Sequence, residues 1–398
     1  MLSHRGNTMP ASPIRRLIPY ANEAKKKGIE VYHLNIGQPD IPTPPEIFEA
    51  IRNFPDKVLP YGPSEGLPET REVIAAYFRR YGIEVSPDEV FITTGGSEAI
   101  IFSLMAITDP GDEVLIPEPF YTNYGGFAHM SSVRLVPIPT SVEDGFRLPP
   151  DEVIEERITE RTRGIIIITP NNPTGTVYTR EEMERIGRIA KKHNLFVFSD
   201  EVYREFVFDG KRHTSILEIE GIEDRCAVLD SISKRFSACG ARIGFVVSRN
   251  KKFLDALLRF GQARLCPPTI EQMGAIAGFK YMDNFMQHMV EEYRRRRDVV
   301  YEEIMKIEGA FTLKPEGAFY TVVRLPVKNA EDFIIWMLTS FSVDGKTTMV
   351  APANGFYATP GKGEDEVRIA YVLEVEKLRH AMEILRLGIE RYKNEVEG

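Results

Sequence analysis

The segment from Ser231 to Gly244 contains a lysine and an arginine whose residue types suit chemistry on a small cofactor. Lys234 lies among Ser, Ala and Gly residues, where it can lose solvation, and a lysine so placed readily gives up its proton and attacks an aldehyde. Arg242 carries a permanent planar charge suited to a phosphate ester, and the hydroxyls of Ser231 and Ser233 add donors. The segment therefore predicts a site for a cofactor that carries both an aldehyde and a phosphate.

A carboxylate is expected near this segment, at the edge of a sheet. Asp200 follows the apolar run 195–199, which is typical of a buried strand, so its side chain would emerge at the strand's carboxyl end. Open α/β sheets bind ligands at that edge. Together with Lys234 and Arg242, Asp200 indicates a pyridoxal 5′-phosphate (PLP) site.

Two further motifs also follow predicted strands. Gly96 and Ser97 open a helix after the run 90–93, so their backbone N–H groups can point at an anion. Asn172 lies in the turn 171–175, after an Ile-rich run, and the turn is shaped by proline and glycine. Both motifs are therefore candidates for the same site.

These motifs, taken in this order, resemble the aspartate aminotransferase superfamily, the fold type I PLP enzymes of aminotransferase class I and II. The resemblance runs from about Ser12 to the C-terminal helix. It implies that Asp200 lies beside the pyridine nitrogen and keeps the ring protonated, so that the ring can absorb electrons from a carbanion. It implies further that Tyr121 stacks on the pyridine ring and that Asn172 and Tyr203 donate to the phenolic oxygen of the cofactor. It also implies that Tyr61 reaches the phosphate of a neighbouring subunit, so the active unit would be a homodimer.

The resemblance also implies a substrate site. Arg368 lies in the strand-like stretch 366–372, and its guanidinium matches the group that binds the α-carboxylate of the substrate. Gly37, in the loop 35–39, is expected beside the same carboxylate, together with Asn172. Closure of that loop would exclude water during the reaction.

The order of elements predicts an α/β fold. Short apolar runs alternate with amphipathic helical stretches from about residue 90 to 250, which favours a mostly parallel sheet flanked by helices. From about residue 285 the pattern changes to a smaller α+β unit with strand-like stretches at 318–324 and 366–372. An amphipathic N-terminal helix with a face from Ile14 to Ala24 is expected to pack on this unit. The predicted domains are a large PLP-binding domain at 44–284 and a small domain formed by 1–43 and 285–398.

Composition limits the classes of partner. The chain has 398 residues and a formal net charge of −8, which argues against nucleic acid as the main partner. Three cysteines, without C-x-x-C spacing, and seven scattered histidines indicate neither a disulfide framework nor a metal site. No apolar run is long enough for a signal peptide or a membrane span. A cytoplasmic protein without a membrane or metal partner is expected.

The predicted function is transfer of the α-amino group of an L-amino acid to a 2-oxo acid, 2-oxoglutarate, by a ping-pong mechanism, with Lys234 moving the proton. A PLP-dependent carbon–sulfur β-lyase is the alternative, because it would use the same residues. A sensor domain of a transcription regulator is disfavoured, because the chain has no room for a DNA-binding domain.

The preferred side chain of the substrate stays open. Some relatives that prefer dicarboxylic substrates carry a lysine where this chain has Ser97, so strict aspartate preference is in doubt. Either Arg15 or Arg16 could supply a cation for a distal carboxylate, although a solvated helix face explains both equally well. Aspartate is the first expectation, and broad or aromatic specificity is the next.

Overall fold

A computed structural model describes residues 1–55 and 57–397. Its strands are β1 (Glu30–His33), β2 (Val90–Thr94), β3 (Glu113–Glu118), β4 (Arg134–Pro139), β5 (Thr162–Ile168), β6 (Phe196–Asp200), β7 (Cys226–Ser231), β8 (Ile243–Val247), β9 (Tyr320–Arg324), β10 (Lys346–Met349), β11 (Ala351–Pro352) and β12 (Glu366–Ala370).

The α-helices are α1 (His4–Thr8), α2 (Ile18–Lys26), α3 (Pro45–Arg52), α4 (Pro68–Arg80), α5 (Gly95–Ile107), α6 (Asn123–Ser131), α7 (Asp151–Glu155), α8 (Arg180–Lys192), α9 (Ile232–Arg235), α10 (Lys251–Arg264), α11 (Thr269–Lys280), α12 (Met282–Ile304), α13 (Ala330–Ser340) and α14 (Val375–Tyr392). Short 3₁₀ turns connect several of these elements, and a π-helical turn, Lys393–Glu397, follows α14.

The central sheet has the strand order β2-β8-β7-β6-β5-β3-β4. Its middle strands β3, β5, β6 and β7 run parallel, as does β4 at one edge. Strand β8 runs antiparallel to both β2 and β7. The prediction of an α/β fold with a mostly parallel sheet flanked by helices is confirmed.

Both faces of this sheet are covered, which explains why its strands appear in the sequence as continuous apolar runs. Successive side chains of a strand point to opposite faces. On β5, Ile165 and Ile167 accordingly pack in one core with α8, and Ile166 and Ile168 pack in a second core with α5 and α10. Polar side chains at the carboxyl ends of the parallel strands therefore meet along one edge.

Two smaller sheets accompany the central one. Strands β11, β12 and β9 form an antiparallel sheet, and β1 pairs in parallel with β10. The predicted strands 318–324 and 366–372 correspond to β9 and β12, but β1 and β10 were not predicted. Both strands are short, and they pair residues as far apart in the sequence as Glu30 and Lys346. No local sequence pattern therefore predicts them. The domain boundaries given above stay a prediction.

Helix α2 begins at Ile18, later than the predicted apolar face that starts at Ile14. Pro19 occupies its first turn, where the missing N–H group costs nothing. Ile14 lies in the preceding turns and packs beside Phe356 instead. Helix α2 contacts α13 and β1, as expected for the N-terminal stretch. Within the described ranges, no helix has both the length and the apolar character needed to cross a membrane.

Candidate active site

A cavity of about 520 Å³ opens where the parallel strands end. The ends of β5, β6 and β7 and the start of α5 form its walls. Every predicted site residue except Tyr61 lines it: Gly37, Gly96, Ser97, Tyr121, Asn172, Asp200, Tyr203, Ser231, Ser233, Lys234, Arg242 and Arg368. Groups that are far apart in the sequence, such as Gly37 and Arg368, thus share one enclosed space.

Lys234 lies in the short helix α9, which begins directly after β7. The Ser231 hydroxyl caps this helix by accepting from the Ser233 N–H at 3.3 Å. The Lys234 Nζ donates to the Gly37 carbonyl oxygen at 2.8 Å and lies 3.6 Å from Cys239 Sγ. In the part of the chain that the structure describes, no carboxylate forms an ion pair with this amine. It is held by neutral groups and faces the cavity.

Arg235 anchors the helix that carries Lys234. Its fully buried guanidinium donates from Nη2 to Asp230 Oδ2 and from Nε to Glu205 Oε1, both at 2.7 Å. The same group lies 4.7 Å from the ring centre of Tyr77. Because buried charges are costly unless they are paired, these contacts fix α9 against the sheet.

Asp200 is the last residue of β6 and faces the cavity. The Tyr124 hydroxyl donates to its Oδ2 at 2.7 Å, and the Val202 N–H donates to its Oδ1 at 3.3 Å. Burial raises the pKa of Asp200 to about 6, although both hydrogen bonds oppose the rise. Among the residues described, no cation pairs with this carboxylate. Asp200 therefore suits a ligand with a positively charged group.

Groups suited to an anion meet at the N-terminus of α5. Gly96 and Ser97 form its first turn, where backbone N–H groups point out of the helix, and Ser231, Ser233 and Arg242 line the same cavity. Gly95, at φ +74°, lies so close to the Arg242 guanidinium that a Cβ there would overlap it. The Arg242 Nη1 also donates to the Cys239 carbonyl oxygen at 2.9 Å. The guanidinium is thus packed against the N-terminus of α5.

Arg368 is buried on β12. Its Nη1 donates to Asn172 Oδ1 at 3.1 Å, and its Nη2 donates to the Asn35 carbonyl oxygen at 2.6 Å. The guanidinium lies over two rings, 4.7 Å from the centre of Tyr320 and 4.9 Å from that of Phe356. Burial lowers the pKa of Arg368. Its Nε has no hydrogen-bond partner within the described ranges, which leaves a donor for a carboxylate.

Three residues with contacts in this site were missed by the sequence reasoning. Tyr124 fixes Asp200, and Asn35 holds Arg368 through its carbonyl oxygen. Tyr320 lies 2.9 Å from the Tyr203 hydroxyl and 3.4 Å from the Gly37 carbonyl oxygen, measured from its own hydroxyl. Asn35 lies in the loop 35–39 and Tyr124 lies three positions after Tyr121, so both are close in sequence to predicted site residues. Tyr320 has only its place in the predicted strand 318–324.

Tyr61 lies outside the cavity of its own chain. The residue is 78% exposed and does not line the cavity. The prediction that it reaches the phosphate of a neighbouring subunit therefore stays a prediction.

The residues of the cavity fit PLP. The Lys234 amine suits its aldehyde, and the hydroxyls, helix N–H groups and Arg242 suit its phosphate. Because a buried carboxylate is costly unless it is paired, Asp200 suits a protonated pyridine nitrogen. Tyr121 supplies an aromatic face; burial raises the pKa of its hydroxyl, and the charge of Lys234 opposes the rise.

Comparisons with known proteins agree with this fit. The family model "Aminotransferase class I and II" matches residues 29–385. The aromatic-amino-acid aminotransferase 2 of Thermococcus litoralis is 34% identical over 391 residues, which cover 96% of each chain.

Solved structures share the whole architecture. A single mutant of the aspartate aminotransferase of Thermus thermophilus superposes with a TM-score of 0.89 and 30% identity, covering 98% of this chain and 99% of that one. The alanine aminotransferase of Pyrococcus furiosus superposes with a TM-score of 0.90 and 31% identity, covering 98% and 100%. This chain belongs to the aminotransferase class I and II family and is a PLP-dependent aminotransferase of fold type I.

Proposed function

We propose that this aminotransferase takes its amino group from a dicarboxylic amino acid, L-aspartate, and passes it to 2-oxoglutarate in a ping-pong reaction. One observation carries the proposal: Arg15 lines the same cavity as Arg368. Two cations in one cavity suit a substrate with two carboxylates, one for each guanidinium.

Arg15 and Arg16 differ in their contacts, which separates the two candidates for the distal cation. The Arg16 guanidinium forms an ion pair with Glu331 and donates to Asn354 Oδ1 at 3.0 Å. Arg15 has no ion pair among residues 1–55 and 57–397, and its charge acts on the Tyr121 phenol in the cavity. Arg15 is therefore the proposed group for the distal carboxylate.

The remaining roles are proposed from the same contacts. Bound in this cavity, PLP supplies a carbonyl carbon that reacts with amines and a ring that absorbs electrons from the α-carbon of the substrate. Lys234 moves a proton at that α-carbon, from a position set by the Gly37 carbonyl oxygen. Asp200, oriented by Tyr124, holds the ring nitrogen, and Asn172 and Tyr203 donate to the phenolic oxygen.

Different arginines are proposed to bind the substrate and the phosphate of the cofactor. Arg368 binds the α-carboxylate with the help of Gly37, and Arg242 binds the phosphate with the N-terminus of α5. Tyr61 of a second subunit is proposed to complete the phosphate site, which makes the active unit a homodimer.

The reported relatives do not decide the substrate, because their names refer to aromatic amino acids, aspartate and alanine. All are named aminotransferases, so the carbon–sulfur lyase alternative is not favoured.

The test compares amino donors in the first half-reaction. PLP-loaded protein is mixed with L-aspartate, L-phenylalanine or L-cysteine without any 2-oxo acid, and the absorbance of the bound cofactor and the 2-oxo acid released are followed. Conversion of PLP to pyridoxamine phosphate fastest with L-aspartate supports the proposal. Preference for L-phenylalanine would replace it with an aromatic specificity, and pyruvate released from L-cysteine without conversion would indicate a lyase.

Variants then separate the two arginines. Because a charge-assisted hydrogen bond contributes about 1.5 to 3 kcal/mol, Arg15→Met should raise KM for L-aspartate by about tenfold or more and leave KM for L-phenylalanine within about twofold. Arg16→Met is the matched control and should change neither, since an exposed ion pair contributes little. Equal effects of Arg15→Met on both substrates would contradict the role of Arg15.

A further inference from the structure

Tyr320 contacts both Tyr203 and Arg368, two of the predicted site residues that line the cavity. It is 2% exposed and stands at the start of β9. Its hydroxyl lies 2.9 Å from the Tyr203 hydroxyl, and its ring lies under the Arg368 guanidinium. Gly37 packs so closely on the same hydroxyl that a Cβ at Gly37 would overlap it.

The hydroxyl of Tyr320 takes part in two hydrogen-bond contacts. Tyr320 has one proton, and its two possible acceptors are the Tyr203 oxygen at 2.9 Å and the Gly37 carbonyl oxygen at 3.4 Å. In the Tyr203–Tyr320 pair either oxygen can be the donor. A Tyr203 hydroxyl that donates to a bound group has no second proton, so Tyr320 must then be the donor of this pair. When Tyr320 donates to Tyr203, the Tyr203 proton is left free to point into the cavity.

The ring of Tyr320 acts on a different group. The Arg368 guanidinium lies over the rings of Tyr320 and Phe356, and cation–π contacts of desolvated guanidinium groups are stronger than exposed ones. The ring therefore fixes the plane in which Arg368 presents its free Nε. This contact needs the ring and does not need the hydroxyl.

We propose that Tyr320 is a positioning residue with two separable parts: its hydroxyl directs the Tyr203 donor at the cofactor, and its ring orients Arg368 for the substrate carboxylate. The proposal rests on the roles proposed above for Tyr203 and Arg368. Consecutive hydrogen bonds in a chain strengthen each other. A Tyr203 hydroxyl that accepts from Tyr320 is therefore a stronger donor to the cofactor.

The hydroxyl is tested with Tyr320→Phe. A donor to the phenolic oxygen favours its anionic form, so weakening that donor should raise the pH midpoint of the absorbance change of bound PLP by about 0.5 unit or more. The affinity of the PLP-free protein for PLP should fall by a few fold. Tyr293→Phe is the matched control: Tyr293 is equally buried and stacks on Phe319, but its hydroxyl has no hydrogen-bond partner within the described ranges.

The ring is tested by the affinity for maleate, a dicarboxylate that cannot donate an amino group. Tyr320→Leu should weaken maleate binding by about tenfold, and Tyr320→Phe should leave it within about twofold. Equal weakening by both variants would overturn the division into two parts.

A third variant separates failure of this proposal from failure of the role given to Tyr203. If Tyr203→Phe raises the midpoint and Tyr320→Phe does not, Tyr203 acts without help and the proposal for Tyr320 is wrong. If neither variant raises it, the role of Tyr203 itself is wrong, and the proposal falls with it. A midpoint raised by both, and unchanged in Tyr293→Phe, supports the proposal.

Discussion

Replacing Asp200 by Asn should stabilise the PLP-free protein while weakening its affinity for PLP. Burial raises the pKa of Asp200 from 3.8 to about 6. A carboxylate whose pKa is higher in the folded state than in the unfolded state destabilises the fold when it is ionised. That cost is complete above about pH 6 and disappears as the pH falls below about 3.8. Asparagine carries no such charge, so the variant avoids the cost.

The magnitude follows from the shift. Each pKa unit corresponds to about 1.4 kcal/mol, so the full shift amounts to about 3 kcal/mol. Asp200 is only partly buried, because one side faces the cavity and water there screens the charge, so about 1 to 2 kcal/mol should remain. The asparagine oxygen can still accept from Tyr124, and only the longer bond from Val202 is at risk. At about pH 5 the gain should be roughly half of its value at about pH 8.

The assay is urea unfolding of the PLP-free wild type and variant at about pH 8, 5 and 4, with PLP affinity measured by fluorescence. Asp255→Asn, at an exposed position of α10, is the control and should change the free energy of unfolding by less than about 0.5 kcal/mol. A loss of stability in Asp200→Asn, or a gain that is the same at all three pH values, would refute the reasoning.

Three other substitutions test the supports of the site. Tyr124→Phe removes a hydrogen bond that lowers the pKa of Asp200, so a larger share of Asp200 should be protonated near neutral pH. PLP affinity should therefore fall several-fold at about pH 6.5 and recover at about pH 9. A loss of PLP affinity that does not depend on pH would contradict this. Gly95→Ala should reduce PLP affinity by about tenfold, because its Cβ would overlap the Arg242 guanidinium. Gly82→Ala, at the same φ of +74° but in open space, should lower only the free energy of unfolding. Equal PLP affinity of the two variants would contradict the overlap. Arg235→Met should lower the free energy of unfolding by about 3 to 5 kcal/mol, because two buried carboxylates lose their cation, and a change below about 1 kcal/mol would show that they are not ionised.

Much of the fold could be predicted from the sequence, because local patterns carry it. The buried strands of the central sheet are continuous apolar runs. Asp200 and Ser231 end two of them, and Asn172 lies in the turn after a third, so their meeting at one edge follows from parallel pairing. Their specific roles came from a family resemblance and not from spacing. The strands β1 and β10 escaped prediction because their pairing depends on the rest of the fold.

The contacts that orient the site could not be predicted in the same way. The hydrogen bond between Tyr203 and Tyr320 joins residues 117 positions apart, and that between Tyr124 and Asp200 joins residues 76 positions apart. Nothing in the local pattern of either segment specifies these side-chain partners. The difference between Arg15 and Arg16 is also tertiary, since it depends on Glu331 lying beside one of two adjacent guanidinium groups.

The central claim is that PLP reacts with Lys234, and it can be tested directly. PLP-loaded protein is reduced with borohydride and digested, and the peptide that carries the pyridoxyl group is identified by mass spectrometry. The group is predicted on Lys234, in the peptide that contains Ser231 and Ser233. A pyridoxyl group on any other lysine, with Lys234 unmodified, would contradict the account.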